Sequence, residues 1–84
     1  MCRIERAILN ALSSGEFFLS IHAVHRMSQR SITEADIRAC GRSARSCLYQ
    51  SLQRTWRIEG EDLDKEPLTV ICGIDQAIVI VTIF

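Results

Sequence analysis

Lysine is almost missing from this 84-residue chain: Lys65 stands alone, and the other nine basic residues are arginine. Net charge is missing as well, because ten basic residues balance ten acidic ones. A chain without net charge has no bulk field to steer it onto a polyanion, so any nucleic-acid contact must come from a local patch. Proline occurs once, at Pro67, and glycine four times, which excludes collagen and Gly/Pro-rich linkers. Aromatic residues make up only 6%. The longest apolar run, Ala77 to Phe84, is interrupted by Thr82 and is far short of the ~20 residues a spanning helix needs. Met1-Cys2-Arg3-Ile4-Glu5-Arg6 has no apolar stretch behind its charges, so no secretory leader and no membrane association are expected, and the cytoplasm is the expected compartment. The sequence also lacks a C-x-x-C pair, a Gly-rich phosphate loop and a G-x-S-x-G elbow.

What is present describes a folded protein. The apolar fraction is 48% and the charged fraction 24%, which excludes a disordered chain. One domain over residues 1–84 is expected, burying roughly 60–65% of its unfolded surface, and a core that small gains from dimerisation. Four cysteines (Cys2, Cys40, Cys47, Cys72) should be reduced in the cytoplasm and read as buried thiols rather than metal ligands. Charge is segregated along the chain. Residues 1–58 hold nine arginines against four acids, a balance of +5, and residues 59–84 hold one lysine against six acids, a balance of −5. Either the arginine-rich half meets an anionic ligand, or the two halves neutralise each other in the fold.

Apolar spacing at Ile4, Ala7, Ile8, Ala11 and Leu12 predicts a helix over 3–13, closed by Gly15 as a left-handed cap. Glu16 to Leu19 is a short extended or turn segment. Ser20 is the expected N-cap of a helix over 21–30. Thr33 and Asp36 form a capping-box pattern, flanked by Ile32 and Ile37, for a third helix ending near Ser43, with Gly41 weakening its last turn. The period then changes to two. Residues 54–59 form a strand with Trp56 and Ile58 inward, residues 60–66 an acidic loop, and Pro67 opens a second strand to Ile74. After a turn at Asp75-Gln76, residues 77–84 form a strand apolar on both faces. The expected class is α+β: two or three helices packed on a three- to four-stranded antiparallel sheet.

The second helix carries the chemistry. Its expected polar arc holds His22, His25, Arg26, Gln29 and Arg30, opposite Ile21, Ala23, Val24, Met27 and Ser28. Metal-free RNA cleavage needs a base, a charge stabiliser at phosphate and an acid. Histidine suits the proton-transfer roles and arginine the phosphate. His22, Arg26 and Arg30 follow one another at successive turns and are the candidate catalytic set. His25 and Gln29, with Trp56 and Arg57 from the strand half, are the candidate ligand-binding residues; Trp56 and Tyr49 could also stack on bases. The structural alternative pairs Arg26 and Arg30 with Glu59, Glu61 or Asp62 and turns Trp56 into the core. A His22/His25 metal site would need further ligands, so neither metal nor cofactor is expected.

The order His22, Arg26-Met27, Arg30, Ile32, Thr33-Glu34-Ala35-Asp36-Ile37, followed by Trp56-Arg57-Ile58-Glu59-Gly60, Asp62, Pro67-Leu68-Thr69-Val70 and Val79-Ile80-Val81-Thr82, resembles the small bacterial proteins grouped as domain of unknown function 4258. The resemblance covers about residues 16–84. That group is similar in organisation to the RelE- and BrnT-type toxin superfamily, some of whose members cleave messenger RNA on the ribosome and others of which act in toxin–antitoxin regulation. Nucleases of that superfamily usually carry basic or tyrosine residues near the last strand, whereas this chain ends Val81-Thr82-Ile83-Phe84. The resemblance therefore implies a toxin-like interaction domain before a metal-independent ribonuclease or a non-catalytic RNA binder. Its partner would be a second copy or a small antitoxin-like protein, with RNA or the ribosome as the alternative. Were the last strand at a sheet edge, its apolar row would invite that second copy.

Overall fold

The computed structural model describes residues 3–84. Three helices, α1 (Arg3–Ser14), α2 (Ile21–Arg30) and α3 (Glu34–Arg42), precede or interleave with five strands: β1 (Phe18–Leu19), β2 (Ser46–Gln50), β3 (Thr55–Glu61), β4 (Pro67–Ile74) and β5 (Ile78–Ile83). The strands form one sheet in the order β1-β5-β4-β3-β2. The α+β class stands as expected, but the sheet has five strands and is mixed. β1 runs parallel to β5, while the β2–β3, β3–β4 and β4–β5 pairs are antiparallel.

β2 escapes the sequence reading, and β1 is read there only as part of a short extended or turn segment. β1 is two residues long, too short for any period. β2 is Ser-Cys-Leu-Tyr-Gln, with three apolar residues in a row where alternation would mark a half-buried strand. β5, in turn, is no edge. It lies between β1 and β4, so the last strand cannot recruit a second copy through its own backbone.

The helix signals are local and hold. Gly15, at φ +83°, closes α1 while Glu16 N–H reaches Ala11 O at 2.9 Å and Gly15 N–H reaches Leu12 O at 3.2 Å. Ser31 does the same for α2 at φ 55°, with Ile32 N–H on Met27 O, a left-handed cap not visible in the sequence. The Thr33–Asp36 capping box forms in both directions. α3 runs through Gly41 because α1 crosses it there: a Cβ on Gly41 would meet Leu12 Cβ at 2.7 Å.

The core lies between the helices and one face of the sheet. Ile8 and Leu12 of α1, Ala23 and Met27 of α2, and Ile37 and Cys40 of α3 pack with Ile58, Leu68, Val70, Cys72, Ile80 and Ile83. Cross-strand register sets which residues share that face. Cys47, Ile58, Val70 and Ile83 form one inward row, and Tyr49, Trp56, Cys72 and Ile80 the next. Leu48, Arg57, Ile71 and Thr82 form a row on the opposite face. Trp56 is thus turned to the core side and half-buried, with Tyr49 beside it at 5.2 Å between ring centroids.

α3 approaches β3 closest at Gly60. A Cβ there would lie 2.5 Å from Cys40 O and 3.1 Å from Ser43 Oγ, so backbone would have to move. Gly60→Ala is expected to lower the unfolding free energy by about 1–3 kcal/mol in urea denaturation, the usual cost of overpacking. Gly73→Ala, where the nearest atom is Val81 Cγ2 at 4.0 Å, is expected to change it by less than about 1 kcal/mol.

Candidate functional site

Ser20 sets where α2 lies. Its side chain caps the helix by accepting from Ala23 N–H at 3.0 Å, and its backbone N–H donates to Ile80 O on β5. Its hydroxyl also donates to Val81 O at 2.8 Å. Val81 is the extra residue of a β-bulge, since Ile71 pairs with Thr82 and Cys72 with Ile80. One turn and a half along the helix, Arg26 Nε reaches Ile83 O at a long 3.5 Å. α2 therefore lies along the side of β5 that two-residue β1 leaves uncovered.

This placement rotates the helix relative to the sequence reading. Ala23 and Met27 are buried as expected, but Ile21 is 91% and Val24 51% exposed, while Arg26 is partly buried at the seam. An apolar arc running to Ile21 was expected to face the core. The seam instead follows Ala23 and Met27, because Ser20 and Arg26 turn their flank of the helix to the β5 carbonyls.

His22, His25, Gln29 and Arg30 are all exposed on α2. Helical spacing puts His22, Arg26 and Arg30 on one flank. Trp56 and Arg57 do not join them as a pair, because consecutive strand residues point to opposite faces. Arg57 lies on the face away from the core row. Its Nε donates to Glu59 Oε2 at 3.3 Å, and its guanidinium sits 5.1 Å from the Phe84 ring centroid. No carboxylate of the described residues comes within 4.0 Å of Arg26 or Arg30. Elsewhere among the described residues, Arg57 pairs with Glu59 and, more loosely, Arg45 with Glu61 at 4.0 Å. The expected pairing of Arg26 and Arg30 with Glu59, Glu61 or Asp62 is thus not made. The acidic loop meets α3, where Leu63 N–H donates to Asp36 Oδ1 at 3.1 Å, whereas α2 lies against β5, toward the other end of the strand order.

Two surface depressions of about 500 and 550 Å³ are lined by Ala7, Asn10 and Ser14 of α1, and by Gly15, Phe17, Phe18, Ala77 and Ile78, respectively. Neither includes a residue of α2. Among the described residues no group of three or more His, Cys, Asp or Glu is placed to hold a metal ion, and no helix is long and apolar enough to cross a membrane.

Two kinds of group have shifted proton affinity, and both are structural. Burial acts to raise the Asp36 carboxyl, but Thr33 N–H, Leu63 N–H and the Thr33 hydroxyl together outweigh it and hold the group below its ordinary value. The capping box was legible in the sequence; the tie to Leu63, twenty-seven residues on, was not. Cys40, Cys47 and Cys72 are buried and not disulfide-bonded, while Cys2 lies outside the described residues. Burial pushes the thiols of Cys40 and Cys72 up to about 12, with the neighbouring Cys47 adding to the second.

A family model described as a domain of unknown function, DUF4258, matches residues 19–84. The chain belongs to this family. The DUF4258 region takes in α2, α3 and β2 to β5, and leaves α1 outside. No curated protein and no solved structure matches the chain.

Two outcomes follow from the shifted groups. Asp36 has a lowered folded-state pKa, so its stabilisation is fully present above the ordinary carboxylate value and is lost as pH falls through the lowered one. Asp36→Asn should therefore cost about 1–2 kcal/mol at neutral pH in urea denaturation and flatten the acid side of the stability curve. Site-resolved alkylation at neutral pH should leave Cys40 and Cys72 unmodified until the protein is unfolded; rapid labelling of either in the folded state would contradict their burial.

Proposed function

We propose that the protein is a non-catalytic, toxin-like interaction domain of RelE/BrnT organisation that works in the cytoplasm. The flank of α2 would receive a small acidic protein of antitoxin type. The state of that flank carries the reading. α2 contains no acidic residue, and His22, His25 and Arg30 are exposed, so the surface offers only neutral or cationic groups. Arg26, the residue best placed to assist His22, is turned to Ile83 O and held at the helix–sheet seam. Neither surface depression includes α2 residues, so neither encloses substrate against this flank. An exposed cationic flank suits an acidic protein surface.

A metal-independent ribonuclease is the second reading. It draws on the same exposure of His22 and Arg30, with Arg26 stabilising phosphate. RNA bound without cleavage through the arginine-rich half is a variant of it.

Mutant stability and RNA chemistry separate these readings. Arg26→Ala is expected to lower stability by about 1 kcal/mol, through loss of its carbonyl contact and of the packing of its stem. His22→Ala should change stability by less than about 0.5 kcal/mol, and the wild type should leave RNA intact. Wild-type cleavage that disappears in a folded His22→Ala variant would establish the ribonuclease instead. Co-expression with the product of the adjacent gene is expected to give a complex that Arg30→Glu weakens about tenfold.

A further inference from the structure

The two ends of the sheet are treated differently. At one end β1 is only two residues long, and beyond it the N-cap Ser20 and Arg26 of α2 occupy the carbonyls of Val81 and Ile83. At the other end β2 is five residues long, and among the described residues it pairs in the sheet with β3 alone. Edge strands are normally guarded by charge, proline, a bulge or extreme shortness. β2 has none of these: Ser46-Cys47-Leu48-Tyr49-Gln50 is uncharged and pairs regularly with residues 55–59. Apolar side chains also gather there in solvent, with Leu48 60% and Tyr49 52% exposed, and Leu52 of the following turn 94% exposed.

We propose that β2 is a homodimer seam, at which two copies pair antiparallel through Leu48 to form one continuous ten-stranded sheet. This inference is independent of what α2 binds. The sequence of β2 supports a second copy of this chain over an unrelated strand because it is self-complementary. A two-fold axis normal to the sheet keeps each face continuous, so the copies can pair only about a residue, not between two. Centred on Leu48, the register sets Leu48 against Leu48, Cys47 against Tyr49 and Ser46 against Gln50: apolar meets apolar and polar meets polar. Centred on Cys47 or on Tyr49, it sets Leu48 against Ser46 or against Gln50. The Leu48 register also directs Leu52 toward Ala44 of the second copy, and Arg45 toward the uncharged Ser51. Because the two-fold pairing uses β2 of both copies, and the opposite edge strand β1 is only two residues long, it closes at two copies and does not propagate into a fibre.

Light scattering on the wild type at high micromolar concentration should give twice the 9.5 kDa chain mass. Leu48→Lys places two like charges on the axis and should give the mass of one chain, with an unchanged circular dichroism spectrum. Leu63→Lys, at an exposed leucine in the β3–β4 loop, should remain dimeric. Should Leu48→Lys fail to fold, Leu48→Cys decides. It should cross-link to itself under mild oxidation, while Leu63→Cys should not. A monomeric wild type, a folded Leu48→Lys that stays dimeric, or cross-linking no faster at position 48 than at 63 would each overturn the proposal.

Discussion

The fold depends on covering one side of one strand. β5 is the most apolar segment of the chain, and β1 pairs with only its first residues through Phe18–Val79 and Leu19–Ile80. The carbonyls beyond that point would be left open in an apolar neighbourhood, where an unmet acceptor costs on the order of 1–3 kcal/mol. Ser20 resolves this by serving two elements together. Its hydroxyl accepts from the first turn of α2 and donates to the bulge carbonyl of Val81. The helix start and the strand bulge are thereby fixed to each other, and the direction of α2 follows.

Much of the candidate site is a consequence of that junction. Once α2 is laid along β5, Ala23 and Met27 enter the core, Arg26 is brought to Ile83 O, and the histidines are left facing outward. The acidic 59–66 segment cannot pair with these arginines, because its backbone is held to the start of α3 through Asp36. Segregated charge in the sequence therefore does not collapse on itself throughout the fold. Arg45 and Arg57 are paired with Glu61 and Glu59, while Arg26 is held at the seam and Arg30 stays exposed on α2.

What was legible in the sequence is what nearest neighbours decide. The bounds of α2, the Thr33–Asp36 capping box, the Gly15 cap and the strand start at Pro67 all follow from residues within a turn of one another. What was not legible depends on distant partners. β2 lacks alternation because Leu48 faces solvent beside two apolar neighbours that turn to the core side. β1 exists only because β5 lies beside it. The rotation of α2, which exposes Ile21 and draws Arg26 to the seam, is set by a bulge sixty residues away along the chain. Local signals could put His22, Arg26 and Arg30 on one flank, but not say what that flank would lie against.

Replacing the junction hydroxyl tests this account most directly. Hydrogen exchange and urea denaturation of Ser20→Ala should show a stability loss of about 1–2 kcal/mol, as for removal of an N-cap that also bonds a partner strand. Faster exchange should be concentrated in the first turn of α2 and spare α3. A variant within about 0.5 kcal/mol of wild type, with exchange in α2 unchanged, would contradict the claim that Ser20 holds the helix to the strand.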